Sequence, residues 1–266
     1  MSSVLFLFLA HLGIGIAATL LIVASTAGTQ FFRFNAGLAA VLLLVALAFR
    51  PTPVSVNLLE SAGFTALIVA TGSLLVYWAS FGRGLANLRP WLLWTTVVVG
   101  GLALVFQGMG LSSGQVPSFA ALTVVSFLSS AALLGGACTA MILGHWYLVL
   151  PSMNVSLLQS MVKFHIGSTV VRTVVVVAVV AVALSSWQAP SGAGYGQYAV
   201  SLDGVFLWQR LLFGLASPAV LSYLVWQTAK IQSTQSATGI LYVDFFTVVV
   251  GEVLAKYLLL STQVPV

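Results

Sequence analysis

An all-α, polytopic membrane protein is the fold the sequence predicts, and three observations predict it. Charged residues make up only 5% of the 266 positions, against about 25% in a typical soluble domain. Apolar residues make up 60%, and the mean hydropathy is +1.12. The apolar residues fall into eight runs between polar, Gly- or Pro-bearing breaks. Each run reaches, or with its flanks approaches, the roughly 20 residues a helix needs to cross the hydrocarbon core.

In chain order the predicted spans cover about 3–24, 34–49, 61–80, 91–111, 119–143, 162–185, 205–227 and 239–260. The first has no basic segment before it and is long for a cleaved signal, so it is read as a span. The second is short unless it recruits Phe31 and Phe32. Pro90 fits the first turn of the fourth span, and Pro117 precedes the fifth. Breaks at Arg50–Pro53, Ser112–Pro117, Pro151–Asn154 and Lys230–Ser236 separate the others. The longest connection, Ser185–Gly204, carries Trp187, Tyr195 and Tyr198. Pro218 is the main breaker inside the seventh span.

The net charge of +5 is spread singly, mostly at the ends of apolar runs. That pattern suits topology control and excludes the clustered basic face of a nucleic-acid binder. With eight spans, the odd loops carry Arg33, Arg83, Arg89, Lys163 and Lys230; the other side offers Arg50, with Lys256 near the last helix end. Five against two predicts odd loops in the cytoplasm and both termini outside. The single Cys138 permits no disulfide framework or CxxC pair within the chain. No phosphate-binding loop or metal-protease motif occurs. The chain reads as one transmembrane domain, 1–266, with 1–115 and 116–266 as candidate four-helix halves. Small residues recur at packing distance: Gly13 with Ala17, Ala132 with Gly136, and Gly135 with Thr139.

Chemistry is sought in the polar groups left inside the hydrocarbon. Arg172 lies nine residues after Lys163, which is about 13 Å along a helix. A charge that deep costs at least about 2.5–3.5 kcal/mol to insert and needs a partner or a polar pocket. His165, Thr169 and Arg172 share one helical face. Aromatic residues Trp146, Tyr147 and Phe164 could wall a flat ring, with His145 and His165 bonding its carbonyls. This predicts a quinone/quinol site, for menaquinone or ubiquinone, using His145, Trp146, Tyr147, Phe164, His165 and Arg172. Asp244 enters the last helix from the same side and could pair with Arg172 or accept a quinol proton. Glu252 lies eight residues deeper, either paired with Lys256 at i,i+4 or on a proton route. His165, Asp244 and Glu252 are therefore the candidate proton-handling residues. No metal site is expected, except that His11, His145 and His165 are alternative ligands for a b-type haem. Asp203 and Arg210 share a face at the start of the seventh span and suit a local packing role.

The final span contains Gly251-Glu252, followed by Lys256 and Tyr257. This pattern resembles the last helices of the polysulfide reductase/dimethyl sulfoxide reductase membrane-anchor family, over about a tenth of the chain. The resemblance implies eight core helices in two four-helix bundles. It also implies electron exchange between quinol and an iron–sulfur partner, without a haem of its own.

The expected function is a quinone-binding membrane subunit of a respiratory or electron-transfer complex, a non-autonomous part of an oxidoreductase. Its partners would be the bilayer and iron–sulfur or cytochrome subunits, in a prokaryotic inner membrane. A b-type cytochrome, an ion- or proton-translocating subunit or transporter, and a non-catalytic assembly subunit are the alternatives. A reduced absorbance spectrum, donor-free flux in liposomes and silent substitutions, respectively, would identify them.

Overall fold

The computed structural model describes residues 1–51, 58–82, 85–112, 117–150, 155–188, 192 and 194–266. The second half of the break Arg50–Pro53, the interior of Ser112–Pro117, all of Pro151–Asn154, and Arg83 lie outside the described residues. Among those described the chain is all-α, with a single isolated β-bridge between Gln188 and Gly194.

The first four spans are α1 (Ser2–Thr19), α2 (Thr29–Ala48), α3 (Leu58–Ala79) and α4 (Arg89–Leu111). Next come α5 (Pro117–Val149) and α6 (Ser156–Ser186), then a short α7 (Tyr195–Ala199) on the connecting segment. Helices α8 (Val205–Leu211) and α9 (Ser217–Lys230) form one span through a π turn at Leu212–Ala216, and α10 (Thr234–Thr262) is the last. Among the described residues, seven helices are long and apolar enough to cross a membrane. The eighth long one, α10, has 29 residues and carries Asp244, Glu252 and Lys256.

The boundaries depart from expectation in interpretable ways. Helix α1 stops at Thr19 although Leu20–Val23 remain apolar; Gly28, at φ 88°, then turns the chain into α2. Phe31 and Phe32 are indeed inside α2. Helix α6 contains Val174–Val177, a run with strand propensity in water. In lipid its backbone groups must bond within the segment, so the helix prevails. Helices α5 and α6 run past the hydrocarbon-length prediction, to 33 and 31 residues. Pro218 stands in the first turn of α9, directly after the π turn. A proline lacks the N–H that a regular helix would supply there, and π turns are one recognised accommodation.

Side-chain pairings give the relative directions. His11 meets Ser130 and Thr19 meets Thr139, so α1 and α5 run parallel. His165 meets Asp244 and Arg172 meets Glu252, so α6 and α10 run parallel too. Gly144 packs on Thr238 while Ser130 meets Glu252, which makes α5 and α10 antiparallel. These directions are those of eight successive crossings.

Helix α1 is central: its residues Phe6–Ala17 are all buried. It packs against α5 through a glycine contact, where a Cβ on Gly15 or Gly135 would fall on the opposing backbone. Small residues thus allow close approach, as the sequence suggested, and Gly15 of α1 meets Gly135 of α5. The contact brings His11 beside the serines of α5. On the Ser185–Gly204 connection, Trp187, Tyr195 and Tyr198 pack together with ring centroids 5.4–5.6 Å apart. Trp187 Nε1 donates to the Thr262 carbonyl at 2.8 Å.

Candidate functional site

Two buried polar groups lie on α10. The deeper is centred on Glu252, a fully buried carboxylate that receives both its oxygens' partners from other side chains. Arg172 approaches as a fork, Nε to Oε1 at 2.9 Å and Nη2 to Oε2 at 3.3 Å. Arg210 Nη2 donates to Oε1 at 2.8 Å. Ser130 Oγ donates to Oε2 at 2.5 Å, and Lys256 Nζ lies 3.4 Å from the same oxygen. Four helical spans therefore converge on one carboxylate.

Each cation is held differently. All three Arg172 nitrogens are used: Nη1 donates to Ser126 Oγ at 2.7 Å, and Nη2 also reaches the Val266 carbonyl at 3.2 Å. The chain after α10 turns at Gln263, φ 60°, and folds back so that Val264 and Val266 are buried. Ser126 Oγ donates to the Pro265 carbonyl at 2.9 Å. Arg210, by contrast, uses only Nη2; its Nε and Nη1 have no hydrogen-bond partner among the described residues. The Arg210 guanidinium lies in a notch between Gly214 of the π turn and Gly251 of α10, where any Cβ would strike it or the facing backbone. Lys256 Nζ donates to Ser130 Oγ at 2.7 Å and lies 5.4 Å from the Phe127 ring centroid.

Ser130 ties α1 into the group. Its hydroxyl hydrogen goes to Glu252, so Ser130 Oγ accepts from Lys256. His11 Nδ1 stands 3.2 Å from the same oxygen and is its second donor. That assigns the proton of neutral His11 to Nδ1. The His11 Nε2 lone pair is buried without a partner among the described residues, and the ring packs edge-on against Phe127 at 4.6 Å. Arg172, Arg210 and Lys256 against Glu252 give three side-chain cations to one side-chain anion, all at 0–2% exposure. Desolvating charges costs several kcal/mol each and is offset only by close, saturated geometry. Glu252 has that geometry; Arg210 does not.

The second group is a His–Asp dyad. His165 Nε2 of α6 lies 2.7 Å from Asp244 Oδ2 of α10, with side-chain exposures of 1% and 0%. The contact is an ion-pair distance without hydrogen-bond geometry: both ring nitrogens of His165 and both carboxylate oxygens of Asp244 are buried with no hydrogen bond among the described residues. The dyad sits two turns from the Glu252 group along both helices, about 10–12 Å. Ser168, Thr169 and Thr247 are buried between them, each bonding its own helix backbone.

The predicted site residues do not form one cluster. Asp244 pairs with His165, not with Arg172, whose partner is Glu252. His145 is exposed on α5, with Nδ1 3.1 Å from the Tyr242 hydroxyl of α10. Trp146 turns to α2, against Phe31 at 5.9 Å and Phe34 at 6.1 Å. Tyr147 is buried, and Phe164 packs beside Gly136. Successive helical residues point about 100° apart, which spreads His145, Trp146 and Tyr147 over three faces. Histidines 145 and 165 do share α10 as neighbour, through Tyr242 and Asp244. The three histidines have three different partners, and the described residues contain no group of three or more His, Cys, Asp or Glu that could hold a metal ion.

Two expectations change. Lys256, counted at a helix end, is buried against Glu252 one turn away and leaves the surface tally. Arg210 faces Glu252 rather than Asp203, which is exposed. Sequence reasoning missed Ser126 and Ser130. Their signal was available: serines 126, 129 and 130 put hydroxyls on one face of an otherwise apolar helix. No protein-family model matches the chain, and no curated protein was found to resemble it.

Proposed function

We propose that the chain is the quinone-linked, proton-handling membrane subunit of a prokaryotic electron-transfer complex in the cytoplasmic membrane, with the odd loops facing the cytoplasm. The observation that carries this reading is the buried His165–Asp244 dyad at 2.7 Å. A His in contact with a carboxylate is a suitable acceptor for a quinol hydroxyl proton. His145 and Tyr242 lie at the same level on the lipid-exposed side, where a ring arriving from the bilayer meets two polar tips. Quinol oxidation releases two electrons and two protons. The protons pass to this chain's titratable groups. The electrons pass to an iron–sulfur or cytochrome partner subunit, because one cysteine holds no cluster. The Gly251–Tyr257 resemblance supports the same class.

The test is quinone content. Complex purified with wild-type chain should retain menaquinone or ubiquinone, and His145→Leu with Tyr242→Phe should reduce it. Complex without quinone, in both wild type and variant, refutes the reading.

Glu252 favours one other reading, a proton-translocating subunit, because a carboxylate saturated by three cations lies mid-span. Proton flux through the isolated chain in liposomes, without electron donor, would favour that function over ours.

A further inference from the structure

A groove of 510 Å³ runs along the outer face of the α2–α3 pair, apart from both buried groups. Its polar end is made by Arg33, Gln30 and Trp78. Its floor continues into the bilayer along Phe34, Leu38 and Val41, which share a face of α2. We propose that this groove binds one anionic phospholipid, the phosphate at Arg33 and Trp78 Nε1 and an acyl chain along Phe34, Leu38 and Val41.

Charge complementarity identifies the occupant. Arg33 is exposed and has no hydrogen-bond or carboxylate partner among the described residues; its guanidinium lies 5.7 Å from the Trp78 ring centroid. Arg89, Lys163 and Lys230 belong to the same membrane side by the order of crossings. The chain's four acids are elsewhere: Glu60 and Asp203 on the opposite side, Asp244 and Glu252 buried. A surface with cations and no exposed carboxylate attracts anionic headgroups, and an Arg near that surface contributes about a fivefold preference. The groove's shape depends on Gly37, where a Cβ would come within 2.8 Å of Trp78 Nε1 and displace the ring.

The experiment is native mass spectrometry of the purified full chain from micelles holding equal phosphatidylglycerol and phosphatidylcholine. Wild type should retain phosphatidylglycerol preferentially. Arg33→Gln should lower that preference about fivefold, and Gly37→Leu should lower retention of both lipids. Arg50→Gln, on the opposite side and stacked on Phe64 at 3.6 Å, should change neither. Excess inorganic phosphate should leave the lipid bound, since it fills none of the apolar floor. Equal retention of the two lipids by wild type, an unchanged preference in Arg33→Gln, or displacement by phosphate alone would overturn the proposal. Arg33 is a surface residue, so its variant stays informative even if Gly37→Leu does not fold.

Discussion

Replacing Glu252 by Gln removes the side-chain carboxylate that three buried cations share, with almost no change in volume. Both carboxylate oxygens now accept, from Arg172, Arg210, Ser130 and Lys256. A Gln must turn an NH2 group toward one of these donor sets, so donors face donors. Breaking a buried pair by removing one partner costs about 3–5 kcal/mol. That corresponds to roughly two to three and a half orders of magnitude in the folding equilibrium. The comparison variant is Lys256→Met. Its contact with Glu252, at 3.4 Å, is the longest in the group, and its removal lowers the excess of side-chain cations over side-chain anions. It should cost much less, and Glu252→Gln should cost less in the Lys256→Met background than alone. Unfolding in mixed micelles, followed by circular dichroism, measures all four corners of this cycle. A wild-type midpoint for Glu252→Gln, or an equal loss for Lys256→Met, would refute the view that Glu252 holds the spans together.

Two other predictions concern the same helices. Arg172→Leu should lower abundance sharply by stripping the fork from Glu252, whereas Lys163→Leu, exposed and 5.2 Å from the Trp226 ring centroid, should cost under about 1 kcal/mol; immunodetection in membranes separates them, and turnover at matched abundance then tests Arg172 chemically. Gly251→Ala should destabilise by about 1–3 kcal/mol through overpacking against Gly214 and Arg210, read as a lowered unfolding midpoint; an unchanged midpoint would mean the notch can open at no cost.

The spans were legible because lipid imposes one backbone solution on any apolar run of sufficient length. The ends were less so: Leu20–Val23 continue the apolar pattern, yet the chain turns after Thr19 to reach Gly28. Within the site, depth was legible and partnership was not. Arg172 is mid-helix by counting, and Glu252 with Lys256 follows from i,i+4 spacing. That Arg172 reaches Glu252 while His165 takes Asp244 depends on the register between α6 and α10, which no local pattern encodes. Arg210 illustrates the same limit. Asp203 is its sequence neighbour, but the glycine pair at positions 214 and 251 brings α10 close enough for Glu252 to claim it. The aromatic triplet at 146, 147 and 164 looked convergent in the linear sequence; helical rotation separates it.

The central claim is that the His165–Asp244 dyad handles quinol protons. Its most direct measurement is quinol-dependent electron transfer by the purified complex, at matched abundance, for Asp244→Asn and His165→Leu. A positioned acid–base group contributes about 10²–10⁴ in rate, so both variants should fall at least about 100-fold while keeping the unfolding behaviour of the folded complex. Wild-type turnover in either folded variant would contradict the account.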